Sequence, residues 1–152
     1  MVIQVKKPVV PNVFSLYIVE RESDLYMKLN NVKTDKAPAA IGPYSQAVVV
    51  GGFIYTSGQI PVNPATGLID ARDIDGQTRQ ALENLKNVLE AAASELSKVI
   101  KTTVYIKDMK DFAKINEIYS SFFTDPYPAR SCVEVARLPK DVLIEIEAVA
   151  II

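Results

Sequence analysis

Histidine is absent from this chain of 152 residues, and cysteine occurs once, as Cys132. Without histidine, neither a Ser-His-Asp triad nor a Cys-His pair can form. A zinc site needs several histidine or cysteine ligands, and a single cysteine cannot form an intramolecular disulfide bond. Any catalysis must therefore use carboxylates, arginine, lysine, tyrosine, serine, backbone groups or water, and no metal or other cofactor is expected.

An excess of charge of one sign is also lacking, because 17 Lys and Arg residues face 18 Asp and Glu residues. Nucleic-acid-binding proteins usually carry a basic patch and a high isoelectric point, so this balance argues against such a partner, although a local patch can still assemble in the fold. No apolar run approaches the roughly 20 residues of a membrane span. The prolines Pro8 and Pro11 interrupt the apolar N-terminus, which does not resemble a signal peptide. We expect a cytoplasmic protein without a membrane partner.

The first 26 residues differ in character from the rest of the chain. The run VFSLYIV at 13–19 could form one strand, and Met27 is a second plausible start. Residues 1–26 are interpreted as an extension or an upstream translation start, or alternatively as an arm that packs on a neighbouring subunit. Residues 27–152 are expected to form one domain.

Alternating and helical patterns beyond Tyr44 predict seven elements. Two glycines, Gly51 and Gly52, separate two β-rich runs and favour a tight hairpin. One helix is predicted to begin after an N-cap at Asp73 or Asp75 and to end at about Ser94. A second helix is predicted to begin after an N-cap at Asp108 or Asp111 and to end at about Phe123. The segment SGQIPVNPATG is interpreted as an ordered loop, and TDPYPA as a short loop that contains proline. The predicted strands are 47–50, 53–56, 99–107, 131–136 and 142–151.

Two helices cannot cover both faces of a sheet of this size, so we predict an α+β two-layer sandwich with both helices on one face. In the last strand, the positions Val142, Ile144 and Ile146 begin a fully apolar set. The alternate set from Leu143 to Ile151 mixes glutamate with apolar residues. The C-terminal part of this set is too apolar for a fully solvent-exposed sheet face, which suggests an oligomer interface.

Arg130 follows a proline-bounded loop at the edge of an apolar strand. Its planar fork of donors matches a carboxylate, which makes it a candidate anion-binding residue. The alternative is a structural ion pair with Glu134 or with a glutamate near the C-terminus. Cys132, on the same strand face, is expected to be a small buried hydrophobe rather than a nucleophile.

Glu145 and Glu147 share the mixed face of the last strand. A glutamate among apolar residues is costly unless it is paired or wet, so either could act as a general base or orient water. The alternative is a solvated sheet face. Tyr44 and Ser57 lie beside glycines and prolines, which suits a shaped pocket and equally suits turn packing.

The ordered blocks IGPYSQA, TSGQIPVNP, KTTVYIKDMKDF, NEIY, PARSCVEVARLPKD and IEIEA resemble the RidA/YjgF family of imine deaminases. The resemblance runs from about Asn30 to the C-terminus and leaves residues 1–26 outside. It implies a chorismate-mutase-like fold, a mixed β-sheet with two helices on one face, assembled as a homotrimer with ligand clefts between subunits.

The resemblance also assigns roles to single residues. It implies that Arg130 holds a substrate carboxylate and that Glu145 handles the attacking water. The matching blocks place further substrate-binding residues at Tyr44, Ser57, Gly58, Asn116 and Cys132. The loop at 124–129 is shorter than in some family members, which leaves the preferred substrate size open.

The implied activity is hydrolysis of 2-imino acids and enamines, such as 2-iminobutanoate and 2-iminopropanoate, to 2-keto acids and ammonia. No metal or covalent nucleophile is needed, because a protonated imine is already electrophilic. Two alternatives are an endoribonuclease or translation inhibitor, and a trimeric carboxylate-binding module without catalysis.

Overall fold

The computed structural model describes residues 28–152. The predicted extension at 1–26, including the strand at 13–19, lies outside the described residues. Within these residues the structure contains two α-helices and six strands. In order, they are β1 (Asn30–Val32), β2 (Ala47–Val50), β3 (Phe53–Thr56), α1 (Ile74–Ala91), β4 (Val99–Ile106), α2 (Phe112–Phe122), β5 (Ala129–Glu134) and β6 (Ile144–Ile151).

The six strands form one mixed sheet in the order β1-β2-β3-β6-β4-β5. All neighbours are antiparallel except β4 and β5, which are parallel and joined through α2. The register of that parallel pair sets Thr102 beside Arg130. The C-terminal strand β6 therefore lies in the middle of the sheet, where both of its edges are paired.

Local sequence signals explain the hairpin and the first helix. Gly51 and Gly52 connect β2 to β3 with φ angles of 59° and 79°, a conformation that glycine adopts without steric cost. The Asp73 side chain accepts a hydrogen bond of 2.7 Å from the Gly76 N–H and caps α1. Both predictions are confirmed, with Asp73 rather than Asp75 as the cap.

The core lies between the two helices and one face of the sheet. Leu82, Leu85 and Leu89 of α1 are fully buried against Ile144 and Ile146 of β6 and their neighbours. The opposite face, which we call the outer face, carries exposed aromatic rings, with Phe53 at 41% and Tyr55 at 46% of their full accessibility. The predicted α+β two-layer arrangement is confirmed.

Several predicted boundaries were wrong. β5 begins at Ala129 and ends at Glu134 instead of spanning 131–136, and β6 begins at Ile144 because a 3₁₀ turn occupies Pro139–Asp141. α1 ends at Ala91 because Ala93 adopts a φ of 60°, which a continuing helix cannot accommodate. The short strand β1 was not predicted. Neither helix within residues 28–152 combines the length and apolar character that a bilayer crossing requires.

Candidate active site

The arginine half-site consists of Arg130, Asn116 and Cys132, on the helix side of the sheet. Arg130 comes from β5, and its guanidinium carbon lies 4.6 Å from the centroid of the Tyr119 ring and 5.5 Å from that of Phe112. Asn116 lines the same surface cavity as Arg130, one turn before Tyr119 on α2. Alternation along β5 brings Cys132 to the same side, where it packs against the core.

Arg130 has no ion pair among residues 28–152. The alternative in which Glu134 neutralises it is wrong, because a Glu134 carboxylate oxygen accepts a hydrogen bond of 2.7 Å from the Met109 N–H. Two aromatic faces hold the guanidinium instead, through cation–π contacts that use none of its N–H donors. The donor fork of Arg130 therefore stays available for an incoming anion.

Cys132 lies close enough to Arg130 to feel its charge. Burial raises the pKa of the Cys132 thiol, and the positive charge of Arg130 only partly offsets that rise. The sulfur is therefore a thiol at neutral pH, which agrees with the expected packing role and not with a nucleophile.

The glutamate half-site consists of Tyr44, Ser57, Gly58 and Glu145, at the start of β6. An antiparallel bridge joins Gln59 to Ile146 through two backbone hydrogen bonds of 2.8 and 3.1 Å. That bridge lays Gly58 directly across the Glu145 carboxylate. A Cβ atom at Gly58 would lie 1.8 Å from Glu145 Oε1, so this contact requires glycine.

A network that sequence reasoning missed fixes the loop that carries Tyr44. The buried amide of Gln46 accepts a hydrogen bond from the Thr34 N–H and donates to three carbonyl oxygens of the segment 34–38. The Ser57 hydroxyl donates to the Ser45 carbonyl at 2.6 Å, and the Ser57 N–H donates to the Gln46 carbonyl. Tyr44 and Gly58 line one cavity. Ser57 contributes by holding the strand ends together, because its hydroxyl and its N–H both donate to backbone carbonyls.

The Glu145 side chain is half-buried on the outer face. Burial raises the pKa of its carboxyl, and the negative charge of Glu147 raises it further. Glu147 itself accepts a hydrogen bond of 3.1 Å from the Tyr105 hydroxyl. The two glutamates thus differ in their contacts. Glu147 accepts a hydrogen bond from a tyrosine, whereas the Glu145 carboxylate lies next to the Cα of Gly58, where a larger residue would place its Cβ. Both side chains are partly exposed on the outer face, so the alternative of a solvated sheet face stays open.

The two half-sites lie on opposite faces of the sheet. Thr102 pairs with both Arg130 and Ala148, and its hydroxyl bonds to Tyr119 on the helix side. Glu145 has the opposite parity to Ala148 in β6 and therefore projects from the outer face. One small ligand cannot touch Arg130 and Glu145 of the same chain through the sheet between them.

Comparison with known proteins gives consistent matches. The sequence profile described as endoribonuclease L-PSP matches residues 34–152. A RutC family protein of Pyrococcus horikoshii is 61% identical over 117 residues, which cover 77% of this chain and 93% of the relative. The 2-iminobutanoate/2-iminopropanoate deaminase of Escherichia coli is 57% identical over 123 residues, covering 79% of this chain and 95% of that protein.

The fold matches as well. The crystal structure of E. coli TdcF with bound serine superimposes with a TM-score of 0.77 at 53% sequence identity, over 81% of this chain and 98% of that one. Both helices, the strands β2 to β6 and the residues of the two half-sites lie within the matched region, residues 34–152. The chain belongs to the RidA/YjgF family, whose profile carries the description endoribonuclease L-PSP.

Proposed function

We propose that this protein is a 2-iminobutanoate/2-iminopropanoate deaminase, which hydrolyses 2-imino acids to 2-keto acids and ammonia. Relatives at 56–57% identity that carry this name support the proposal. The observation that carries it is the pair of half-sites, an arginine with an unoccupied donor fork and a half-buried glutamate with a raised pKa. Together they supply an anchor for a carboxylate and a base for water.

Arg130 anchors the substrate carboxylate. Its planar guanidinium can donate two parallel hydrogen bonds, and no carboxylate within residues 28–152 competes for them. The 2-imino acid is thereby held by the end that does not react, which fixes the orientation of the adjacent C=N carbon. Serine, the ligand of the related TdcF, also carries a carboxylate beside the substituted carbon.

Glu145 handles the water. A carboxylate with a raised pKa is a stronger base than an ordinary one, so it can take a proton as water adds to the imine carbon. The addition gives a carbinolamine. Return of the proton from Glu145 to nitrogen makes ammonia the leaving group. The C–N bond then breaks as the hydroxyl gives its proton back to the Glu145 carboxylate, which leaves the carbonyl of the 2-keto acid and ammonia. Tyr44 lines the cavity beside Gly58 and bounds the space for the substrate.

The complete site requires a second copy of the chain. Arg130 and Glu145 project from opposite faces, so we propose that the arginine half-site of one subunit meets the glutamate half-site of its neighbour. Around a three-fold axis this contact repeats and closes, which gives a chorismate-mutase-like homotrimer. The exposed rings of Phe53 and Tyr55 on the outer face support such an assembly. Light scattering of the full chain should return three times its mass of 16.7 kDa, whereas a monomer at micromolar concentration would contradict the proposal.

A deaminase assay tests the activity directly. An amino-acid dehydratase or oxidase generates 2-iminobutanoate in the cuvette, and the loss of the imine is followed with and without this protein. We expect faster loss with the wild-type protein and no acceleration with the Arg130→Ala variant. Equal rates with and without the wild-type protein would contradict the proposal. Tight binding of 2-oxobutanoate without turnover would favour the carboxylate-binding alternative.

The family description names an endoribonuclease, and Arg130 could also grip a phosphate. RNA cleavage is therefore the second candidate. The near-neutral charge balance argues against it. Salt-dependent binding and cleavage of RNA by the wild-type protein, both lost in Arg130→Ala, would favour this candidate over the deaminase.

A further inference from the structure

We infer that Tyr119 is the residue that positions Arg130 for carboxylate capture, and that Thr102 holds Tyr119 in place. The inference rests on the proposed function, since it concerns the same arginine. The Arg130 guanidinium carbon lies 4.6 Å from the centroid of the Tyr119 ring, which is a stacking distance. Phe112 lies 5.5 Å away and supplies a second, looser aromatic contact.

An aromatic platform solves a problem that an ion pair would create. Arginine has many rotamers, and fixing it at the moment of binding costs conformational free energy. A structural carboxylate could fix the side chain in advance, but it would occupy the donors that the substrate needs. The ring of Tyr119 restrains the guanidinium plane through its face and leaves the N–H groups at the edge free.

The tyrosine hydroxyl gives the platform a fixed place relative to the sheet. Tyr119 is 4% exposed, and its hydroxyl shares a hydrogen bond of 2.8 Å with the fully buried hydroxyl of Thr102. Thr102 is the register partner of Arg130 across β4 and β5. Arg130 and the threonine that bonds to Tyr119 are therefore paired with each other in the sheet. Phe123 stacks on Tyr119 with ring centroids 4.4 Å apart and further limits tilting.

Three variants separate positioning from general stability. Tyr119→Leu removes the aromatic face but keeps an apolar side chain. Tyr119→Phe keeps the face and loses the bond to Thr102. Ile118→Ala is the matched control, because Ile118 is the preceding residue of α2 and is also 4% exposed. Each variant is compared with the wild-type protein by thermal melts, deamination kinetics and titration with 2-oxobutanoate.

We expect Tyr119→Leu to raise KM and the dissociation constant for 2-oxobutanoate roughly tenfold, with a smaller change in kcat. Tyr119→Phe should recover the affinity only in part, because it keeps the aromatic face but lacks the hydrogen bond to Thr102 that holds the ring. Wild-type affinity in Tyr119→Phe would overturn the role of Thr102. Ile118→Ala should lower Tm without changing the dissociation constant for 2-oxobutanoate. An unchanged KM and ligand affinity in Tyr119→Leu would overturn the inference, as would an equal loss of affinity in Ile118→Ala.

A spectroscopic readout keeps the inference testable if a variant folds poorly or if turnover is absent. The Nε–H signal of Arg130, assigned by its disappearance in Arg130→Lys, should be displaced upfield by the ring current of Tyr119 in the wild-type protein. The displacement should persist in Tyr119→Phe. An Arg130 signal at its ordinary position in the wild-type protein would overturn the inference. Binding of 2-oxobutanoate without turnover would refute the deaminase alone, whereas a lack of both would refute the deaminase and the inference together.

Discussion

Replacing Gly58 with alanine should disable Glu145 while leaving the fold intact. The added Cβ would lie 1.8 Å from Glu145 Oε1 and 2.6 Å from Cδ. Ordinary non-bonded carbon contacts are about 3.5 Å, so the carboxylate must move by more than about 1.5 Å. The group that yields is the end of a flexible side chain and not the backbone, and Gly58 has no positive φ to strain. The substitution is therefore expected to displace the Glu145 carboxylate and to leave the backbone in place.

A displacement of this size is large for a catalytic group. A misplacement of 1 Å can cost about a hundredfold in rate, so we expect kcat/KM for 2-iminobutanoate to fall by roughly that factor, or about 2.7 kcal/mol. Gly52→Ala is the control, because Gly52 has a φ of 79° and open space where the methyl group would go. It should lower Tm and keep activity. Wild-type kcat/KM in a folded Gly58→Ala variant would refute the placement of Glu145 in the reaction.

Three further predictions concern charge and chain length. Arg130→Lys should lose roughly ten- to a hundredfold in kcat/KM because an ammonium cannot donate the two parallel bonds, and wild-type kinetics would make Arg130 structural. Glu147→Gln removes the charge that raises the pKa of Glu145, so the acid limb of the pH profile of kcat/KM should move to lower pH. If the acid limb stayed at the same pH, Glu147 would not influence the Glu145 carboxyl. Glu145→Gln should remove the acid limb altogether and most of kcat with it. A chain that starts at Met27 should keep full turnover, and loss of activity from an intact oligomer would place residues 1–26 in the cleft.

Short-range signals were sufficient for most of the fold. The paired glycines at the hairpin and the cap at Asp73 act through a few neighbouring residues, and both were predicted. β1 gave no signal, because Asn30–Val32 is short and largely polar and forms only by pairing with β2. The end of α1 was also missed, since Ala93 adopts a positive φ without the glycine that usually marks such a position.

The site divides in the same way. Arg130 and Glu145 could be singled out by residue type and by resemblance, but their placement on opposite faces depends on how β6, β4 and β5 pair. That pairing joins segments distant in sequence and has no local signature. Tyr119 belongs to the block NEIY, but neither its residue type nor the resemblance gave it a role. Its contact with Arg130 follows from the parallel register of β4 and β5, which periodicity does not specify.

The central claim is that each active site joins Arg130 of one subunit to Glu145 of its neighbour, and subunit complementation tests it most directly. Arg130→Lys and Glu145→Gln chains, each nearly inactive alone, are mixed in equal amounts, unfolded and refolded together. Every mixed trimer then contains one cleft with both native residues, so about a quarter of the wild-type activity should return. Activity no higher than that of the two separately refolded variants, in trimers shown to be mixed, would contradict a site shared between subunits.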